Sequence, residues 1–149
     1  MNKTLHEWKM TLSLTLGAVS AALGWFGWLM VLFVLCMMGD WITGSAAAMR
    51  MGKWSSGKAK DGIWHKLGSV VIVMVSTGAD MLIGSIVNHL PGIILPFEYG
   101  VLLCPMVVVW YIAAELGSIA ENAVKLGAPM PGFLQKALAV IGEAVEKRE

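Results

Sequence analysis

Thirty consecutive residues, 10–39, carry no charged side chain. As one helix they would extend about 45 Å, at about 1.5 Å per residue. A bilayer's hydrocarbon core is about 30 Å thick and is crossed by about 20 apolar residues. The run is too long for one straight span. With the flank to residue 49, where Asp40 is the single charge, it is long enough for two. Gly24-Trp25-Phe26-Gly27-Trp28 interrupts it: glycine tolerates a turn, and tryptophan favours the lipid–water interface. Two arrangements fit, a helical hairpin over 5–22 and 26–49, or an interfacial helix followed by one tilted span. Lys3 and Lys9 ahead of an apolar stretch suggest a signal peptide. The apolar character continues past any cleavage point into 29–38, which reads as an uncleaved anchor.

Composition agrees with a membrane protein. Of 149 residues, 57% are hydrophobic and 14% charged, against about 45–50% and about 25% in soluble domains. That argues against a soluble enzyme. Eleven basic and ten acidic residues give a net charge of +1, too little for a nucleic-acid binder. Cys36 and Cys104 lie in apolar runs, 68 residues apart, with no metal-ligand spacing around them. His6, His65 and His89 are scattered. No phosphate-binding glycine loop, nucleophile elbow or HExxH motif is present, so no catalytic, cofactor or metal site is expected.

The remaining chain divides by charge. Segment 50–66 holds Arg50, Lys53, Lys58, Lys60 and Lys66 against Asp61, and reads as a basic loop leading into a helix. An apolar helix is expected over 62–88, a connection without Lys or Arg over 89–98, and a further span over 98–126 containing Pro105. A last helix is expected over 132–146, after Pro129 and Pro131. Basic loops stay cytoplasmic. Segment 50–66 and the C-terminal tail (Lys125, Lys136, Lys147, Arg148) are therefore placed inside, and 89–98 outside. The basic N-terminus favours the hairpin, which would keep it inside. The expected fold is an all-α integral membrane protein of three to four transmembrane helices with a C-terminal cytoplasmic helix, in a single membrane domain over 1–149.

Three carboxylates interrupt the apolar segments: Asp40, Asp80 and Glu115. A charge at the bilayer centre costs at least about 2.5–3.5 kcal/mol, so such residues face other helices or water. Tyr111, Glu115, Ser118 and Asn122 follow at +4, +3 and +4, one face of a helix. Asp40 and Thr43 mark a second polar stretch. Gly44 and Ala48 form a small-xxx-small pair that permits close helix approach; Gly84 lies near Asp80. Two explanations account for the polar faces equally well. They either pack the helices of one monomer or join subunits around a pore. A carboxylate pair without a nucleophile or metal motif does not make an active site. The basic loop sets topology and meets anionic lipid.

These residues resemble the toxin-secretion/phage-lysis holins over roughly residues 30–138. Asp40-Trp41-Ile42-Thr43-Gly44 with Ala47-Ala48 is similar to the family's Asp-x-x-Thr-Gly-x-x-Ala-Ala segment. Gly52-Lys53-Trp54-Ser55-Ser56 resembles its Gly-Lys-x-Ser-Ser loop, and Gly62-Ile63 with Lys66 the start of its next span. Tyr111, Glu115, Ser118-Ile119 and Glu121-Asn122 resemble its signature helix, and Gly127-Ala128-Pro129-Met130-Pro131 its Gly-x-Pro-x-Pro exit. Asp61 departs from the pattern. Each motif alone is weak; five in order are specific. The resemblance implies a phage or prophage holin of the bacterial cytoplasmic membrane. Such a protein forms homo-oligomeric lesions at a set time, through which an endolysin or a toxin passes, and can be held back by an antiholin. The residues alone also admit a small ion channel or transporter subunit, or a scaffold without permeation.

Overall fold

The computed structural model describes residues 2–89, 100–134, 136–137 and 140; for most side chains before residue 24 it describes the backbone alone. Most of the connection expected over 89–98, with Pro91 and Pro96, lies outside the described residues. So does the tail from 141 on, with Lys147, Arg148 and the end of the helix expected over 132–146.

Among the described residues stand three long helices, α1 (Asn2–Arg50), α2 (Ser56–His89) and α3 (Leu103–Lys125), and residues 132–134 are helical as well. The helical course of α1 is broken at Gly24, where φ is 59° and ψ is −173°. That left-handed conformation is open to glycine and costly for a residue with a Cβ. Gly24 thus supplies the break that the Gly-Trp-Phe-Gly-Trp stretch allows. Among the described residues, three segments are long and apolar enough to cross a membrane: Gly24–Arg50, Ser56–His89 and Leu103–Lys125. The chain is an all-α membrane protein with three such spans.

Local sequence sets the ends. α1 closes on Gly52 (φ 66°), with Gly52 N–H donating to the Met49 carbonyl and Lys53 N–H to that of Ala48. α3 closes in the same way on Gly127 (φ 96°), through Gly127 to Val124 and Ala128 to Ala123. Both are glycine-terminated caps that satisfy the last carbonyls. Ser55 precedes α2 and accepts the Lys58 N–H at 3.5 Å. The basic segment read as a loop over 50–66 is therefore loop only at 51–55, and Lys58, Lys60 and Lys66 stand on α2. A serine cap followed by good helix formers starts the helix early. Pro105 falls in the first turn of α3, where its missing N–H is not needed.

α1 and α3 run parallel and share the largest interface; α2 returns between their ends and packs more on α3 than on α1. The core is narrow. Phe33, Cys36 and Met37 of α1 meet Cys104, Val108 and Ile112 of α3, with Val73 from α2. The Phe33 and Tyr111 rings lie 6.0 Å apart. Outward stand large apolar side chains such as Leu35, Met74, Met81 and Leu82, each more than half exposed. An exterior more apolar than a core this small can bury suits lipid as the solvent.

Candidate functional site

Asp40, Lys66 and Glu115 each stand about 15 Å along the helix from the end that α1, α2 and α3 share near the 51–55 loop, at about 1.5 Å per residue. That common depth brings them together. Lys66 Nζ donates to Asp40 Oδ2 at 2.9 Å and to Glu115 Oε2 at 2.5 Å. The three side chains are between 11% and 21% exposed, so the pairs are shielded but not sealed. One cation joins all three helices. Asn122 extends the cluster: its amide donates to Asp40 Oδ1 at 3.0 Å and to Thr43 Oγ1 at 3.5 Å. Thr43 in turn donates to the Gly39 carbonyl at 2.8 Å. Two acids with one lysine leave a net charge of −1 in the cluster, a sign it can retain only with its partners close or with water nearby.

The cluster forms the inner wall of an open cleft of about 460 Å³. Lys53 and Lys58 line it towards the loop, His65 lines it beside Lys66, and the Trp41, Trp54 and Trp110 rings flank it. Trp41 is tied to α2 by its indole N–H, 3.4 Å from the Ala59 carbonyl.

At the opposite end, Asp80 is 3% exposed. Its carboxylate accepts the backbone N–H groups of Leu102, Leu103 and Cys104, at 3.2, 2.9 and 2.7 Å. Those donors have no partner within α3, because the first turn of any helix leaves its N–H groups unpaired. Asp80 therefore caps α3 from α2 and places a negative charge at the positive end of its dipole.

The bacteriophage holin family model matches residues 17–143, most of the chain. The chain belongs to the bacteriophage holin family. Over 126 residues, 81% of this holin and 80% of the relative, it is 26% identical to an uncharacterised protein of Listeria monocytogenes. No solved structure matches it.

In this chain the polar residues singled out in the sequence fall into two places. Asp40, Thr43, Glu115 and Asn122 meet in the cluster, and Ser118 and Tyr111 line the cleft beside it. Asp80 belongs to the α3 cap at the other end. Gly44 faces Asn122, whose Nδ2 would lie 3.3 Å from a Cβ built there. Ala48 lines the cleft one turn further on. Gly84 is half-buried, one turn beyond Asp80 on α2. The Arg50 guanidinium packs over the end of α3, 3.1 Å from a Cβ built at Gly127. Lys60 is exposed on α2 and takes no part in the cleft lining.

Sequence reading placed Lys66 in the basic loop and missed its role as the bridging cation. The available signal was depth: Lys66 is flanked by Gly62-Ile63 and Leu67, already inside the apolar segment, whereas Lys58 and Lys60 are not. His65 and the three cleft tryptophans carried no pattern that would have gathered them.

Proposed function

We propose that this holin accumulates in the cytoplasmic membrane of a bacterial host. There it assembles as a homo-oligomer into lesions at a set time and lets an endolysin, or in some systems a toxin, cross. The observation that carries the reading is the three-helix cluster around Lys66 in a chain of the holin family. In the monomer, Lys66 keeps Asp40 and Glu115 turned inward. As copies crowd, contacts between monomers compete with contacts inside them. A concentration-driven shift then favours the state in which those polar faces, with Thr43, Ser118, Asn122 and Tyr111, meet water or one another. The basic residues near the α1–α2 loop, Arg50, Lys53, Lys58 and Lys60, support a cytoplasmic position for that end. The close approach that Gly44 and Ala48 permit on α1 would serve the same packing between copies.

The test is inducible expression in a bacterial host with and without a co-expressed endolysin, following culture density and membrane potential. The expected result is abrupt growth arrest with loss of potential, and lysis only with endolysin present. Asp40→Leu and Glu115→Leu each leave Lys66 one carboxylate, so both variants should insert at wild-type levels yet delay or abolish lysis. Wild-type timing in both would sink the role given to the cluster. Graded, ion-selective depolarisation without endolysin release would indicate a channel. Unaffected growth at high membrane levels would indicate an antiholin or a scaffold.

A further inference from the structure

Beside the polar cleft runs a second, wholly different concavity. It is a groove of about 360 Å³ between α1 and α2, lined by Val34, Met37, Met38, Ile63, Leu67 and Val70. Trp41 and Lys66 line both, so cleft and groove adjoin across this pair. The groove leads away from the loop end: from Trp41 to Val34 is about two helical turns, or about 10 Å. Side by side, the cleft is polar and basic and the groove purely apolar.

Charge sorts the same way. The cleft lining holds Lys53, Lys58 and Lys66 against Asp40 and Glu115, three positive charges against two negative. Lys66 is occupied by both acids. Among the described residues, no carboxylate pairs with the Lys53 or Lys58 ammonium: Asp61 is absent from the lining, and Glu121 pairs with Lys125 at 3.9 Å. The cluster sums to −1 and Lys53 with Lys58 at the mouth to +2, so the whole lining carries a surplus of one positive charge and the mouth lysines are free to meet an anion. The Trp54 indole, in the 51–55 loop, suits the headgroup region of a bilayer.

We propose that cleft and groove together bind one anionic phospholipid. Its phosphodiester would lie at the Lys53–Lys58 mouth, and an acyl chain would run over Trp41 along the Val34–Val70 groove. A free anion would leave the groove unfilled. The apolar face of a helix from a second copy would cover the groove but bring no anion to Lys53 and Lys58. A diacyl lipid with a net charge of −1 matches both ends and the charge surplus. Basic pockets between membrane helices are a recurring way of holding such headgroups. The site stands apart from the lysis reading, because its test contains no permeation step.

The experiment is native mass spectrometry of the full chain released from detergent, after exposure to phosphatidylglycerol or phosphatidylcholine of equal chain length. Phosphatidylglycerol should be retained at least about tenfold better, the scale of two lysines near a lipid phosphate. K53Q/K58Q should lower its retention to the phosphatidylcholine level. K60Q, on the same helix but outside the cleft, should leave the preference intact. L67W, which fills the exposed groove and keeps every charge, should also cut retention, and millimolar glycerol phosphate should not displace the lipid. Circular dichroism checks that each variant stays helical. Equal retention of both lipids would overturn the site, as would a K60Q loss equal to that of K53Q/K58Q, which would mean diffuse charge. Displacement by glycerol phosphate, with L67W unaffected, would reduce it to a simple anion site and overturn the lipid assignment.

Discussion

Asp80 at one end of the bundle and the Asp40–Glu115 pair towards the other are the same chemistry in the same apolar setting, used in opposite ways. Asp80 is held by three backbone N–H groups of α3. Backbone donors cannot turn away unless the helix start unwinds. Asp40 and Glu115 are held only by side chains, both by Lys66 and Asp40 also by the Asn122 amide, and side chains leave by rotation about single bonds. A carboxylate bound to backbone is a fixture; a carboxylate bound to a flexible side chain can be released. The difference assigns structure to one end of the molecule and the capacity to rearrange to the other.

The sharpest way to break this comparison is Asp80→Leu, for which we expect the largest effect. It leaves three N–H groups unpaired in apolar surroundings, at about 1–3 kcal/mol each. The variant should be depleted from the membrane fraction, and the small amount recovered should unfold well below the wild type on heating in detergent. Asp80→Asn keeps a carbonyl acceptor and should fall between the two. An Asp80→Leu protein that accumulates and melts as the wild type does would mean that the cap is dispensable.

Lys66→Met probes the releasable end. It strips both carboxylates of their cation, but the cluster is partly open to solvent, so the cost should stay below the about 3–5 kcal/mol typical of a broken buried pair. The variant should fold, melt lower than the wild type and permeabilise the membrane earlier after induction, since the inward state has lost its clasp. Adding Asp40→Asn and Glu115→Gln removes the stranded charges and should restore most of the stability. If the single variant keeps wild-type onset and melting, Lys66 does not hold the inward state.

The two ends also differ in how legible they were. An uncharged run of thirty residues with Trp-flanked glycines, followed by two further apolar segments, was enough for an all-α membrane fold. Helical spacing was enough to gather Tyr111, Glu115, Ser118 and Asn122 on one face, because i, i+3 and i+4 neighbours follow from local geometry. Partners across helices do not follow. Asp40 and Asn122 lie 82 residues apart, and their contact depends on how α1 and α3 are set along each other. Asp80 looked no different from Asp40 in the sequence. Its role depends on the first turn of α3 arriving beside it, across a connection whose length does not state where the chain re-enters. Lys66 was counted with its basic neighbours because composition registers charge, whereas its partners are set by depth along the helix.

The smallest expected effect tests whether small residues serve the inside or the outside of the bundle. A Cβ at Gly44 would sit 3.3 Å from Asn122 Nδ2, and that amide already donates to Asp40 at 3.0 Å. Gly44→Ala must therefore push the amide aside by a few tenths of an ångström, a mild overpacking worth about 1 kcal/mol. At Gly78, a Cβ would meet nothing within 4 Å. Gly78→Ala should be neutral or slightly stabilising, since alanine favours helix over glycine by up to about 1 kcal/mol in water. Thermal melting in detergent compares the monomers, and crosslinking in membranes compares the oligomers. Gly44→Ala should lower the melting temperature by a few degrees, while Gly78→Ala should not. If Gly78→Ala instead leaves melting unchanged but reduces crosslinked species, the open face of α2 is where copies meet. The glycines that matter for assembly would then be those that the monomer leaves bare.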